Sequence, residues 1–295
     1  MSDAAAVLEA VEVGPARKCA AASPERLTAR RDAAHATVVR VGKVAIGGGA
    51  PVMIAGPCSV ESRDQMLVSA EGVKAAGATV LRGGAYKPRT SPYDFQGLGL
   101  EALLILREVS ERTGLPVVSE VMSTEDIEVV SDHVDMLQVG ARNMQNFALL
   151  RRLGKVRRPV LLKRNPAATV KEWLLAAEYI LAGGNDQVVL CERGIRSYDP
   201  ELRNTFDIGG MVLAKTMTHL PVIADPSHAT GRRDLVPALS RAALAAGADG
   251  LIVEVHPQPE RALSDGAQSL DLQDFAAMMQ DLPISMDVPV RSRAS

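Results

Sequence analysis

Several reactive side chains in this sequence stand directly after short apolar runs. Cys58, His228 and Glu254 offer a thiolate, an imidazole and a carboxylate, and Asp265 adds a second carboxylate further along the chain. Such a mixed set suits a divalent transition metal such as Mn, Fe, Co or Zn. Taken singly, each residue has a plainer explanation, because a free cysteine is usually a small buried hydrophobe and Asp265 could belong to a turn.

A second group of candidate residues is cationic and centres on the segment 81–93. Its glycines let the backbone approach a ligand, its prolines stiffen the loop, and arginine offers a fixed fork of donors for phosphate or carboxylate oxygens. The members of the group are Arg82, Lys87, Arg89, Arg142, Lys163 and Arg193. The formal net charge is only −2, so this many cations converging on one binding site would imply a strongly anionic substrate. Arg164 and Arg196 are expected in surface salt bridges instead.

The elements that carry these residues alternate regularly along the chain. Short apolar runs predict eight strands, at 52–55, 79–81, 116–119, 136–139, 160–162, 188–190, 222–224 and 251–253. Amphipathic patterns predict helices in most intervals, including 65–76, 98–113, 170–182 and 235–246. The alternation predicts an α/β fold, a parallel (β/α)8 TIM barrel over residues 37–285. A doubly wound open sheet is disfavoured, since no glycine-rich dinucleotide fingerprint follows the first strand.

Both ends of the chain are expected to lie outside the barrel. Residues 1–36 predict a loosely ordered or surface-packed extension, residues 38–46 a short hairpin around Gly42, and residues 286–295 a C-terminal tail.

Composition narrows the class of protein. With 47% hydrophobic and 23% charged residues and a slight negative charge, the chain is typical of a globular enzyme and not of a nucleic-acid-coating protein. Three scattered cysteines do not form a disulfide framework, and neither a membrane-spanning run nor a signal peptide is evident. We therefore expect a cytoplasmic protein with no nucleic-acid or membrane partner.

The barrel would bring the candidate residues together, because active sites of this fold lie at the C-terminal ends of the strands. Strand eight closes against strand one, so Cys58, His228 and Glu254 become neighbours although they are distant in sequence. The period of two along a strand also places Lys163, Arg193 and Glu254 on the inward face.

Seven motifs in order resemble the 3-deoxy-7-phosphoheptulonate (DAHP) synthase family, type I, in the subgroup related to 3-deoxy-octulosonate 8-phosphate synthases. They are GPCS (56–59), RGGAYKPRTS (82–91), GARN (140–143), LKR (162–164), CERG (191–194), DPSH (225–228) and EVHP with LSDG (254–257, 263–266). The resemblance extends from about residue 38 to 282.

The resemblance implies a metal-dependent condensation of phosphoenolpyruvate with erythrose 4-phosphate, the entry step of the shikimate pathway. It implies that the metal ligands are Cys58, His228, Glu254 and Asp265. Phosphoenolpyruvate would be held by Arg82, Lys87, Arg142, Lys163 and Arg193, and the aldose phosphate by Arg89 and Thr90. Lys163 and Glu120, with the ligands Cys58 and His228, are the candidate catalytic residues. A homo-oligomer, either dimer or tetramer, is implied as well.

The sequence departs from the family pattern in two places, and three alternative functions stay open at this point. Asn165-Pro166 replace the small residues usual after the Lys-Arg pair, and residues 1–36 are too short for a regulatory ferredoxin-like domain. The alternatives are a synthase that uses arabinose 5-phosphate, an aldolase with Lys163 as Schiff-base nucleophile, and a non-catalytic barrel that binds phosphorylated metabolites.

Overall fold

The computed structural model describes residues 27–89 and 91–282. Within these ranges the strands are β1 (Val39–Val41), β2 (Val44–Ile46), β3 (Val52–Gly56), β4 (Val80–Arg82), β5 (Val117–Glu120), β6 (Met136–Val139), β7 (Val160–Lys163), β8 (Val188–Glu192), β9 (Val222–Ala224) and β10 (Gly250–Glu254). The helices are α1 (Arg63–Ala75), α2 (Leu100–Thr113), α3 (Asp126–Ser131), α4 (Phe147–Leu153), α5 (Val170–Ala182), α6 (Ile208–Met217), α7 (Pro226–Thr230), α8 (Val236–Ala245) and α9 (Leu272–Asp281). None of these helices is long and apolar enough to cross a membrane.

Strands β3 to β10 form a closed barrel. Each pairs in parallel with the next strand along the chain, and β10 returns to pair with β3, which places Glu254 beside Gly56. Parallel neighbours need long crossover connections, and the helices supply them. The predicted (β/α)8 TIM barrel is confirmed, and each of the eight predicted runs overlaps one barrel strand.

The predicted helices agree with the structure to within two residues at each end. Helix α5 begins at a capping box, in which the Thr169 hydroxyl accepts from the backbone N–H of Glu172 and the Glu172 carboxylate accepts from that of Thr169. Trp173 is fully buried and its Nε1 donates to the Leu162 carbonyl at 3.1 Å. This tryptophan therefore packs the helix onto β7.

The inward-facing side chains of the barrel strands form one apolar layer. Its members are Val52, Ile54, Val80, Val118, Met136, Leu161, Val189, Cys191, Ile223 and Ile252. The predicted hairpin is present as the antiparallel pair β1–β2, and its Val39, Val41 and Ile46 pack into the same cluster. The hairpin thus fills the N-terminal end of the barrel, and the interior opens at the C-terminal ends of the strands.

The segment that precedes the hairpin packs against the outside of the barrel. The backbone N–H groups of Leu27 and Thr28 donate to Glu178 Oε1 at 2.8 and 2.7 Å, and Ala29 forms a bridge with Thr218. Residues 1–26 of the predicted extension and the predicted tail 286–295 lie outside the described residues.

Candidate active site

Polar side chains occupy the first inward position above the apolar layer on seven of the barrel strands. Each follows an apolar inward residue by two positions, and all are buried: Arg82, Glu120, Gln138, Lys163, Arg193, Asp225 and Glu254. Because strand side chains alternate between the two faces of a sheet, this spacing turns all of them toward the barrel axis at its open end. The inward orientation predicted for Lys163, Arg193 and Glu254 rests on the same alternation.

The four candidate metal ligands converge at one side of this opening. The ligand atoms of Cys58, His228, Glu254 and Asp265 all lie within 4.8 Å of one another. The pairing of β10 with β3 brings Glu254 next to the loop that carries Cys58, and the short helix α7 adds His228. His228 Nε2 lies 3.2 Å from Glu254 Oε1, and Cys58 Sγ lies 3.1 Å from Asp265 Oδ2.

The donor set fits a divalent metal. Glu254 Oε1 is buried without a hydrogen-bond partner, although His228 Nε2 and Arg82 Nη2 lie 3.2 and 3.1 Å away. A buried oxygen without a partner needs an explanation, and a cation held among four donors supplies one. One sulfur, one imidazole nitrogen and two carboxylates are ligands typical of transition metals.

The four donors differ in the protons that they carry. Burial, reinforced by the charge of Glu254, raises the pKa of the Cys58 thiol to about 12. Burial also opposes ionisation of Glu254 and Asp265, but attraction to His228 and to nearby cations outweighs it, so both carboxyl pKa values lie below their usual range. Burial lowers the pKa of His228, against the opposing pull of Asp225. At neutral pH the set therefore comprises a thiol, an imidazole and two carboxylates.

Asp225 connects the candidate ligands to the cationic half of the site. Its Oδ2 accepts from Lys163 Nζ at 2.5 Å and from His228 Nδ1 at 2.8 Å. A carboxylate that accepts from Nδ1–H fixes the imidazole tautomer and leaves Nε2 available to a metal. Burial would raise the pKa of Asp225, yet His228 and Lys163 hold it well below its usual range. The sequence placed Asp225 at a strand end, but its contact with Lys163 crosses 62 positions and has no sequence signal.

A cavity of about 600 Å³ opens beside the candidate ligands at the mouth of the barrel. The predicted cations all line it: Arg82, Lys87, Arg89, Arg142, Lys163 and Arg193. Two nitrogens of Arg82, Nε and Nη1, are buried without hydrogen-bond partners. A buried guanidinium with free donors is suited to an anion that supplies the missing acceptors.

The loop after β4 runs from the candidate ligands to the outer rim of the cavity. Lys87 Nζ lies 2.9 Å from Cys58 Sγ, and the Arg89 Nη2 atom lies 3.3 Å from Asp94 Oδ2 at the rim. Arg142 is exposed and donates from Nη1 to the Pro88 carbonyl at 3.2 Å, which joins the loops after β4 and β6. Thr90, predicted to meet the aldose phosphate, lies outside the described residues.

Glu120 lines the cavity with a carboxylate that is fixed by its neighbours. Its Oε2 accepts from Gln138 Nε2 at 3.0 Å. A Cβ atom at Gly140 would come within 2.0 Å of Glu120 Oε1, so only glycine leaves room for the carboxylate. The sequence analysis missed Gln138. Its position two residues after the inward-facing Met136 indicates that it also faces the barrel interior.

The surface salt bridges expected for Arg164 and Arg196 have different outcomes in the structure. Arg164 is buried and not at the surface, and its Nη1 pairs with Glu192 at 2.9 Å and Asp207 at 2.8 Å. As the residue after the inward Lys163, it points the other way, into the layer between strands and helices. Arg196 is exposed but lines the cavity, because the loop after β8 folds back over the mouth. The expectation was wrong in the surface position of Arg164, whose ion pairs are buried. Arg196 is at the surface as expected, but within residues 27–89 and 91–282 it forms no ion pair.

The cavity is lined by further residues that the sequence analysis did not select. Arg203 and Asn204 come from the loop after β8. Asn165, noted as a departure, donates from Nδ2 to the Ala141 carbonyl at 3.1 Å and so fastens the turn that carries Arg142. These residues belong to loops, where periodicity gives no indication of direction.

A closed parallel barrel with a four-donor cluster and a cationic cavity at its C-terminal mouth defines a barrel enzyme for anionic substrates. The DAHP synthetase I family model matches residues 26–287. The chain therefore belongs to this family, and the resemblance predicted from the seven motifs is confirmed.

Relatives and solved structures agree with this membership. Phospho-2-dehydro-3-deoxyheptonate aldolase of Thermotoga maritima is 51% identical over 259 residues, which span 88% of this chain and 77% of that protein. A crystal structure of a protein of that name and organism, with DAHP synthase as its second name, has a TM-score of 0.85 at 50% identity, covering 88% of this chain and 76% of the other. The 2-dehydro-3-deoxyphosphooctonate aldolase of Geobacter sulfurreducens is more distant, at 32% identity over 83% of this chain and 96% of that protein.

Proposed function

We propose that this chain is a metal-dependent DAHP synthase that condenses phosphoenolpyruvate with erythrose 4-phosphate. The observation that carries the proposal is the junction of the two halves of the site: Asp225 binds both His228 of the four-donor cluster and Lys163 of the cationic cavity. A metal and an anionic substrate would therefore be held side by side. The chain is 51% identical to the Thermotoga protein but only 32–33% identical to the 2-dehydro-3-deoxyphosphooctonate aldolases. This difference supports erythrose 4-phosphate over arabinose 5-phosphate as the second substrate.

Cys58, His228, Glu254 and Asp265 would hold the metal, which we propose to be Mn, Fe, Co or Zn. When bound, such an ion supplies a Lewis acid that polarises the aldehyde oxygen of the second substrate. Asp225 keeps His228 in the tautomer that offers Nε2 to the metal.

Phosphoenolpyruvate would be bound by Arg82, Lys87, Arg142, Lys163 and Arg193. The free donors of Arg82 suit one end of this dianionic ligand, and the remaining cations neutralise its phosphate. Fixing the substrate in this way lets C3 face the aldehyde carbon and removes the entropic cost of a two-body encounter in solution. Arg89 at the rim, with Thr90, would bind the phosphate of the aldose.

The reaction would form one carbon–carbon bond and one carbon–oxygen bond, the latter to water, and would break the carbon–oxygen bond to phosphate. C3 of phosphoenolpyruvate attacks the aldehyde carbon, water adds at C2, and inorganic phosphate leaves as the hemiketal collapses. The aldehyde oxygen must gain one proton, and the water must lose two: one as it attacks C2, and one as the hemiketal hydroxyl becomes the C2 carbonyl and the proton leaves with the phosphate. Glu120 and Lys163 line the cavity and are our candidates for these transfers, with Glu120 held by Gln138 and Lys163 by Asp225.

The rival with a Schiff base at Lys163 is disfavoured by the same contact. A nucleophilic lysine must be neutral, whereas Lys163 is buried in an ion pair with Asp225. Removal of metal by a chelator should abolish phosphate release, and added Mn²⁺ should restore it. Activity that survives complete metal removal, together with borohydride trapping of a substrate adduct, would favour the Schiff-base enzyme. Metal-loaded protein that binds phosphoenolpyruvate but releases no phosphate with any aldose phosphate would identify a non-catalytic barrel.

A further inference from the structure

A buried glutamine stands three residues after the last candidate ligand. Gln268 ends a 3₁₀ turn, Gly266–Gln268, whose N-cap is Asp265. Residues three apart in such a turn project on the same side. Asp265 has φ 50°, the one positive value at a non-glycine residue within the described ranges, and a Cβ atom at Gly266 would come within 2.2 Å of the Pro259 carbonyl. The turn is therefore tightly constrained, and it delivers two side chains to the cluster.

Gln268 is hydrogen-bonded on both sides of its amide. Its Nε2 donates to Glu254 Oε2 at 2.5 Å, and its Oε1 accepts from Arg203 Nη1 at 2.9 Å. A guanidinium has donors only, so the amide oxygen must face Arg203 and the amide NH₂ must face Glu254. Arg203 thereby fixes the orientation of the glutamine, and the glutamine fixes that of the glutamate.

Arg203 also reaches the second carboxylate of the cluster, since its Nη1 lies 3.4 Å from Asp265 Oδ1. Each carboxylate thus has one oxygen tied to this pair of residues. The opposite oxygens face the cluster: Glu254 Oε1 lies 3.2 Å from His228 Nε2, and Asp265 Oδ2 lies 3.1 Å from Cys58 Sγ.

We propose that Gln268 and Arg203 are positioning residues of the metal site, which restrict Glu254 and Asp265 to one ligand oxygen each. The inference rests on the proposed function, because it requires that the four-donor cluster binds a metal. Outer hydrogen bonds of this kind orient ligands before the ion arrives, so their loss appears as weaker binding. Neither residue needs to contact a substrate for this effect.

The test measures the affinity of the purified protein for Mn²⁺ alone, by titration calorimetry without substrates. Gln268→Met keeps the length of the side chain but removes both hydrogen bonds, and we expect the Kd for Mn²⁺ to rise about 10- to 100-fold. Arg203→Met leaves Gln268 in place but unoriented, and we expect a smaller rise in the same direction. Arg203 is partly exposed, so this second variant should fold even if the first does not.

Asn185 provides the matched control. It is a buried amide in the loop before β8, and its Nδ2 donates to the carbonyls of Leu153 and Arg158 at 3.2 and 2.9 Å. Asn185→Ala should lower the melting temperature and leave the Kd for Mn²⁺ unchanged. Wild-type affinity in both Gln268→Met and Arg203→Met would overturn the inference. A wild-type protein that binds no divalent metal would instead overturn the proposed function.

Discussion

Metal binding should release one proton, and that proton should come from Cys58. Burial and the charge of Glu254 raise the pKa of this thiol to about 12, against the opposing effect of the Lys87 ammonium. The pKa values of Glu254 and Asp265 lie below their usual range, and that of His228 is also lowered, so none of the three carries a proton that a metal must displace at neutral pH. A coordinating thiol loses its proton outright.

The size of the effect follows from this count. Binding linked to the loss of about one proton strengthens by about tenfold for each unit of pH. The slope should hold between about pH 7 and pH 9, because the thiol titrates well above that window. Calorimetric titration of metal-free protein with Mn²⁺, in buffers of different ionisation enthalpy, measures the number of protons directly.

Two variants locate the source of the proton. Cys58→Ser should bind Mn²⁺ far more weakly and release no proton, because a serine hydroxyl is not deprotonated at these pH values. Cys191→Ser is the control, since Cys191 is equally buried but lies in the apolar layer inside the barrel. Wild-type protein that binds metal without releasing a proton, or equal release from Cys58→Ser, would refute this account of the donor set.

Three further predictions concern the cavity, and steady-state phosphate release checks each of them. Arg142→Ala should lower kcat/KM by about 10²- to 10³-fold with little change in melting temperature, because Arg142 is exposed and makes one bond to a carbonyl. A large drop in melting temperature together with the loss of activity would contradict this prediction. Arg89→Ala should raise the KM for the aldose phosphate more than the KM for phosphoenolpyruvate, since Arg89 lies at the rim beside Asp94; the reverse order would be the contrary result. Asn165→Ala should raise the KM for phosphoenolpyruvate, because it frees the turn that carries Arg142; an unchanged KM would leave Asn165 without a positioning role.

The barrel and the placement of its inward residues were predictable from the sequence because both depend on local periodicity. Apolar runs of strand length alternate with helical patterns, and the period of two extends each run to the polar residue that follows it. Lys163 and Glu254 are correctly placed by this pattern alone. The same alternation would also have placed Arg164 correctly. It follows the inward-facing Lys163 directly, so its side chain must point into the layer between strands and helices, where it lies.

The contacts that join the site were not predictable, because they depend on side chains from distant loops. Neither the shared carboxylate of Asp225 nor the chain from Arg203 through Gln268 to Glu254 has a spacing signal. Arg196 reaches the cavity only because its loop folds back over the mouth. Homo-oligomerisation and a cytoplasmic location stay predictions from the resemblance and from composition.

The choice of aldose phosphate tests the central claim most directly. In the proposed function, Arg89 and Thr90 would bind the aldose phosphate while the metal site holds the aldehyde, so the two contacts together would select the length of the substrate. A misplacement of the reacting carbon by about 1 Å can cost about a hundredfold in rate. Phosphate release should therefore be measured with metal-loaded protein, phosphoenolpyruvate and either erythrose 4-phosphate or arabinose 5-phosphate. We expect a clear preference for erythrose 4-phosphate in kcat/KM. Equal or faster turnover with arabinose 5-phosphate would contradict the proposed function while leaving the barrel and its donor cluster in place.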